Sequence, residues 1–216
     1  MEAKAALKQA NMAATAAQIA HFRAIPWCAK ILSQPGLVIT QSVSRRLRAS
    51  KLDALFSRTL NTPDAIPAYI TFYSLPPQLS KGVAVAEGGE EQPELIKEVA
   101  SFVALGPMVN GWEGVCHGGL VASLLDELMG QVFAANKTEG LMAAVPVMTG
   151  YLNTRFEKPV LTGGSGMDAR VVLVTGRLVK REGRKYWLEG DVRGEDGVVL
   201  ARGESLFVML RDKGRL

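Results

Sequence analysis

Histidine and cysteine are scarce in this chain of 216 residues: His21 and His117, Cys28 and Cys116. No Cys/His spacing suits a zinc site, so no metal is expected. Two widely separated cysteines make no disulfide framework, and two reduced thiols in a reducing compartment are the simpler reading. No apolar run of about 18 residues occurs, so no transmembrane helix is expected. A G-x-S-x-G elbow is missing, which argues against an α/β-hydrolase. So are the Walker A and G-x-G-x-x-G nucleotide fingerprints. Aromatics are few at 6%, yet the chain is 48% hydrophobic, enough for one well-buried core with an extra segment at one end.

Charge is present but uneven. The net charge is +4, while residues 1–58 carry nine bases and only two acids, Glu2 and Asp53. Such asymmetry fits an acidic partner, a polyanionic cofactor, a targeting segment or simply a solvated basic face. No aromatic-interleaved basic motif accompanies it, so no nucleic-acid partner is expected. The N-terminus is rich in alanine and poor in acids, with its first arginine at Arg23. A mitochondrial presequence is richer in Arg and Ser. A cytoplasmic location is therefore the default, with a mitochondrial address left open.

Residues 2–20 predict a helix, 27–33 a short helical piece and 45–60 a further helix. Prolines 63, 67, 76 and 77 make the connection up to about residue 82 irregular, apart from a strand at 68–73. The chain thus divides into a helical N-terminal extension, 1–65, and a main domain, 66–216. A strand at 99–105 is followed by an apolar run from 118 to about 135, too long for a strand. Strand-like segments follow at 144–157, 168–180, 185–193 and 198–210, separated by turn signals. The fold class is α+β: an antiparallel sheet curled around one long central helix.

Apolar residues cover most of the circumference of that helix, so it is expected to be buried. Asp126 sits in its middle, on a strip of small residues formed by Gly119, Ala122, Ser123 and Gly130. Small residues admit a ligand or another backbone closely. A lone mid-helix acid is more often structural than catalytic; here its surroundings tip the balance. The helix opens with His117-Gly118-Gly119, and bare N–H groups at a helix N-terminus suit an oxyanion hole. Seven residues from Gly119 to Asp126 span about 10 Å. One reacting carbon cannot meet both ends of one helix. Two such helices running antiparallel across a two-fold axis would supply both ends at each site, which points to a homodimer, alone or paired into a dimer of dimers.

GWEGVCHGGLVASLLDELMG (111–130), VPVMTGYLNTRFEKPV (145–160) and KREGRKYWLEGDVRGEDGVVLARGESLFVML (180–210) together resemble the 4HBT/phenylacetyl-CoA type of hotdog thioesterases. The nearest likeness is to the carboxyl-terminal modulator protein group, and HFRAIPWCAKIL (21–32) looks like the lead-in of fungal relatives. The resemblance implies a hotdog fold and acyl-CoA hydrolysis, with coenzyme A as part of the substrate and no other cofactor. It implies Asp126 as the acid that activates water or attacks directly, Gly118 as the oxyanion-hole donor and Thr149 as a hydroxyl placing the water. His117 has a positional role. Some relatives carry Asn or Gln six residues before that histidine. Gly111 stands there in this chain, and Asn110, one step further away, needs a bulge to act on the substrate carbonyl.

Read as a strand, 144–157 puts Val145, Val147, Tyr151 and Asn153 on the face of Thr149. Gly119 and Ser123 join the candidate substrate-binding residues. Arg155, Lys158, Arg181, Arg184 and Lys185 are candidates for the coenzyme phosphates, or else solvated strand ends. The acyl group is carried by coenzyme A or by a carrier protein. Cys116 beside the helix N-terminus is a weaker nucleophile candidate. A hotdog hydratase or dehydratase and an acyl-CoA-binding regulatory module are the competing readings. The nine-residue separation of His117 and Asp126 counts against the hydratase.

Overall fold

In the computed structural model the described residues are 2–50, 52–80 and 93–211. Lys51 and the end of the irregular connection expected up to about residue 82 lie outside them. The chain opens with α1 (Glu2–Arg23) and α2 (Pro26–Leu32), then β1 (Leu37–Gln41), β2 (Tyr69–Ser74), the short α3 (Pro77–Ser80) and β3 (Glu98–Leu105). A small hairpin, β4 (Asn110–Trp112) and β5 (Val115–Cys116), leads into the long α4 (Gly118–Thr138). Four strands complete the fold: β6 (Val147–Phe156), β7 (Arg170–Glu182), β8 (Lys185–Arg193) and β9 (Val199–Met209). The seven long strands form one antiparallel sheet in the order β1-β2-β3-β7-β8-β9-β6. The sheet wraps around α4, as the apolar run and the following meander predict.

Two apolar layers hold the sheet. On its inner face Leu124, Leu125, Leu128, Met129 and Val132 of α4 pack with Val103, Val174, Leu188 and Phe207. On its outer face Phe22 of α1 and Cys28 and Leu32 of α2 cover Ile70, Phe72 and Phe102. The N-terminal extension is helical at its start. It also supplies β1, an edge strand paired with β2 from Leu37↔Ser74 to Gln41↔Ile70.

The helix expected at 45–60 does not form. A 3-10 turn at Val43–Arg45 and a π-helical turn at Leu55–Thr59 stand in its place, with Asp53 in the left-handed region between them. The reason is Arg45. Its guanidinium is fully buried and donates to Phe56 O at 3.1 Å, Asn61 Oδ1 at 2.5 Å and Ile66 O at 2.9 Å. Satisfying a buried cation with these acceptors fixes a looped path, which outweighs local helix propensity of a few tenths of a kcal/mol per residue.

Glycine decides how deep α4 lies. Gly176, Gly190 and Gly203 sit side by side on β7, β8 and β9. A Cβ on Gly176 would stand 3.2 Å from Leu128 O and Met129 Cα, and one on Gly190 or Gly203 would stand 3.3 Å from Leu125 side-chain carbons. The three form a trough that receives the helix. At Gly176 the obstruction is helix backbone, which cannot swing aside. Gly176→Val is expected to cost about 1–3 kcal/mol by overpacking, more than the 0.4–1 kcal/mol regained by restricting the unfolded chain. A urea midpoint at or above that of the wild type would refute the trough.

Candidate active site

Two short-range features build the site: the start of α4 and a bulge in β6. His117 is the N-cap of α4, and its Nδ1 accepts the Gly119 N–H at 3.0 Å. The Leu120 and Val121 N–H groups both donate to His117 O. Of the first four helix amides only Gly118 has no acceptor among the described residues, and an unpaired N–H at a helix start is a ready donor to an anion. Gly118 also forms the floor of a depression of about 360 Å³ with Phe156 and Lys158. Gly111 packs on His117, where a Cβ would stand 2.8 Å from His117 Cα. That packing requires a residue without a Cβ at position 111.

Two turns along the helix, Asp126 lines an open depression of about 390 Å³ with Leu55, Ser123, Glu127, Thr149 and Leu152. Thr149 Oγ1 donates to Asp126 Oδ1 at 2.8 Å, and no ion pair reaches the carboxylate among the described residues. The register slips between Thr149 and Tyr151, leaving Gly150 as the extra residue of a bulge. The bulge switches the alternation of β6. Thr149 before it and Leu152 after it pair with Phe207 and Ser205 of the inward face of β9 and share the Asp126 depression, while Tyr151 and Asn153 face solvent. The face expected for Thr149, shared with Tyr151 and Asn153, is therefore corrected, because strict alternation fails at an inserted residue.

The helix is not covered all round. Gly119, Ala122, Ser123, Asp126 and Gly130 form an open stripe, with the bulky residues turned into the trough.

No protein-family model matches the chain. It is 34% identical over 106 residues to the acyl-coenzyme A thioesterase THEM4 of Bos taurus, covering 49% of this chain and 38% of that protein. It is 34% identical over 82 residues to verlamelin biosynthesis protein B of Lecanicillium sp, covering 38% and 32% of the two chains. A thioesterase superfamily protein known from its crystal structure matches at 29% identity and a TM-score of 0.44, over 66% of this chain and 56% of that one. The chain is thus similar, over about half of its length, to an acyl-coenzyme A thioesterase. It spans about a third of the length of the curated relatives it matches.

The remaining candidates fall in three places on the sheet and helix. Asn110 Oδ1 accepts from Thr162 Oγ1 at 2.5 Å, and the register of β4 shifts between Asn110 and Trp112. Ser123 Oγ is bonded back to Gly119 O at 2.8 Å, within its own helix. The basic residues do not come together. Arg155 and Lys158 lie at the Gly118 end of β6. Arg184 and Lys185 lie at the opposite end of the sheet, where Arg184 donates to Met209 O. Burial pushes the Cys116 thiol up to about 12, against the lowering that a helix start favours. Among the described residues no three His, Cys, Asp or Glu side chains group as metal ligands, and no helix is long and apolar enough to cross a membrane.

Sequence reasoning passed over Glu127. Its carboxylate accepts from Gln131 Nε2, and Gln131 Oε1 accepts the Val43 N–H at 3.3 Å, tying the extension to α4 beside Asp126. Burial raises the Glu127 carboxyl above its ordinary 4.5, reinforced by the Asp53 and Asp126 charges and opposed by hydrogen bonds from Ser44 and Gln131. The folded chain thus holds this proton more tightly than the unfolded chain. The stability it contributes is full below the ordinary value and is lost as pH rises through the raised one. Glu127→Gln, which keeps an oxygen for Gln131, is expected to stabilise the protein at pH 8 and to flatten that decline. Urea midpoints for both proteins from pH 5 to 8 are the measurement, and parallel profiles would contradict the assignment.

Proposed function

We propose that the protein hydrolyses an acyl thioester, acyl-CoA or a carrier-bound acyl group, at composite sites shared by two copies of the chain. The observation that carries the reading is the Asp126 carboxylate. It is fixed by one hydroxyl, free of ion pairs among the described residues, and open to a cavity. A carboxylate so placed can take a proton from water. The similarity to a curated acyl-CoA thioesterase supports the choice of substrate.

Water attacks the thioester carbon while Asp126 Oδ2 takes its proton. Thr149 holds Oδ1 and so sets the direction of the carboxylate. The carbonyl oxygen becomes an oxyanion and is met by the Gly118 N–H. Collapse breaks the carbon–sulfur bond, and the thiolate recovers the proton from Asp126. Gly118 and Asp126 of one chain are eight residues apart, about 12 Å of helix, so the donor and the base at one carbonyl come from different subunits. The open small-residue stripe on α4 supports this assembly. So does β6, an edge strand with Met148 52%, Tyr151 43% and Phe156 55% exposed. An exposed apolar edge is a liability unless a second chain covers it. His117 is spent on capping the helix, which leaves the hydratase reading without its histidine.

Asp126→Asn is expected to lower thiol release from acyl-CoA by about two orders of magnitude or more. Full turnover would remove Asp126 as the base. Gly118→Pro deletes the donor and keeps the helix, because proline is accepted at the first helical position and His117 already has the extended backbone (φ −61°, ψ 129°) that precedes it. About a 100-fold loss of kcat is expected.

The two variants also test the sharing of sites. A heterodimer of Asp126→Asn and Gly118→Pro chains carries one doubly damaged site and one intact site. Mixing the two inactive proteins under exchange conditions should therefore restore activity. If each site lay within one chain, mixing would restore none.

A further inference from the structure

We propose that Arg46 and Lys137 form a subsite that binds the negatively charged end of the substrate, in a second cavity that lies further along α4 from Asp126. The nature of the ligand rests on the thioester-hydrolase reading above; the subsite itself rests on geometry. A separate cavity of about 320 Å³ continues along α4 beyond the acid, with Val43 and Arg46 on one wall, Gly130, Ala134 and Lys137 on the helix side and Val147 on β6. Gly130 is one turn past Asp126 on the open stripe, and Lys137 lies about 16 Å along the helix axis from the acid.

The two cations are left over from the local charge balance. Arg45 is spent on Phe56 O, Asn61 and Ile66 O, Arg48 pairs with Asp53 at 3.7 Å, and Arg58 donates to Arg48 O. Glu139, two residues beyond Lys137, accepts from Tyr73 Oη at 2.8 Å. Neither Arg46 nor Lys137 has a carboxylate within ion-pair distance among the described residues. Burial lowers the Lys137 ammonium, a desolvation that no neighbouring acid offsets. The negative end of the α4 dipole accounts for a lysine in the last turn. It does not account for Arg46, which reaches the cavity from the other side.

Apolar walls ending in two cations suit an apolar stem with an anionic tip. Two parts of a thioester substrate answer that description: the phosphates of the coenzyme, and the distal carboxylate of a dicarboxylic acyl chain. The common chemistry is an anion held well away from the thioester carbonyl, in the direction of the α4 C-terminus.

The test compares wild type with Arg46→Gln, Lys137→Gln and the double variant on octanoyl-CoA, octanoyl-3′-dephospho-CoA and the dicarboxylic suberyl-CoA. Losing the charge-assisted bonds should raise KM about tenfold in the double variant, with kcat little changed and the wild-type effect shrinking in high salt. A rise for octanoyl-CoA that is absent for the dephospho substrate assigns the anion to the coenzyme phosphate. A rise confined to suberyl-CoA assigns it to the acyl end. Lys137→Arg should retain wild-type KM. Calorimetric titration with the same thioesters, on Asp126→Asn chains with and without the two substitutions, reads the subsite without turnover. Equal affinities in the two backgrounds overturn the subsite whether or not the wild type is active. Affinity that depends on Arg46 and Lys137 with no thiol release by the wild type keeps the subsite and overturns the hydrolase reading alone.

Discussion

The position of α4 in its glycine trough is the constraint on which the rest depends. With side chains at Gly176, Gly190 and Gly203, the helix would ride higher on the sheet. With hydrogen there, Leu125, Leu128 and Met129 reach the strands and are fully buried, each worth about 2 kcal/mol or more in burial alone. That burial leaves little rotational freedom. Once the bulky stripe faces the sheet, the small stripe must face away, and Asp126 comes with it. The same depth brings the acid level with Thr149 on β6, where the bulge at Gly150 turns the hydroxyl inward.

The acids illustrate how context separates roles. Asp191 is buried and gripped by Arg177 and Arg193, each at 2.7 Å. Burial alone would raise its carboxyl, but the two guanidiniums outweigh that and hold it below the ordinary range. An acid tied in this way is a structural tie between β7 and β8, with no lone pair to spare for water. Glu127 is also enclosed, with only the neutral Ser44 and Gln131 side chains as partners, and so favours its proton. Asp126 has neither grip. One neutral hydroxyl orients it, and the depression leaves it open.

Much of the fold was legible because it is local. The apolar run at 118–135 and the four long strand segments after it carry their own periodicity, and the structure matches each within a few residues. What depended on distant partners was not legible. Leu37–Gln41 becomes a strand only because β2, some thirty residues on, pairs with it. Arg45 breaks a plausible helix only because Ile66 O and Asn61 come round to meet it. Glycine and alanine count as apolar in a helix pattern without filling a core position, so the small-residue strip of α4 was legible, but the helix it belongs to read as buried all round where the strip in fact stands open. The pairing of Thr149 with Asp126 was implied by family resemblance, since no spacing rule links residues 23 apart on a helix and a strand. Of the basic candidates, Arg155 and Lys158 fell at one end of the sheet and Arg184 and Lys185 at the other, because antiparallel connectivity carries sequence neighbours of a turn to a shared end.

The uneven charge of the extension finds part of its meaning in the same way. A count of nine bases in 58 residues reads as a surface property, yet Arg45 lies wholly inside and Arg48 is engaged with Asp53. The Arg45 guanidinium donates to carbonyl and amide oxygens while its Nε has no acceptor among the described residues, and burial lowers it to about 10, so it carries its positive charge into the interior. The Val43–Gln131–Glu127 bonds tie the same segment to α4. The extension is thus more than a cover for the outer face of the sheet. Its looped half also shapes the wall, through Leu55 and Phe56, of the cavity in which the central acid stands.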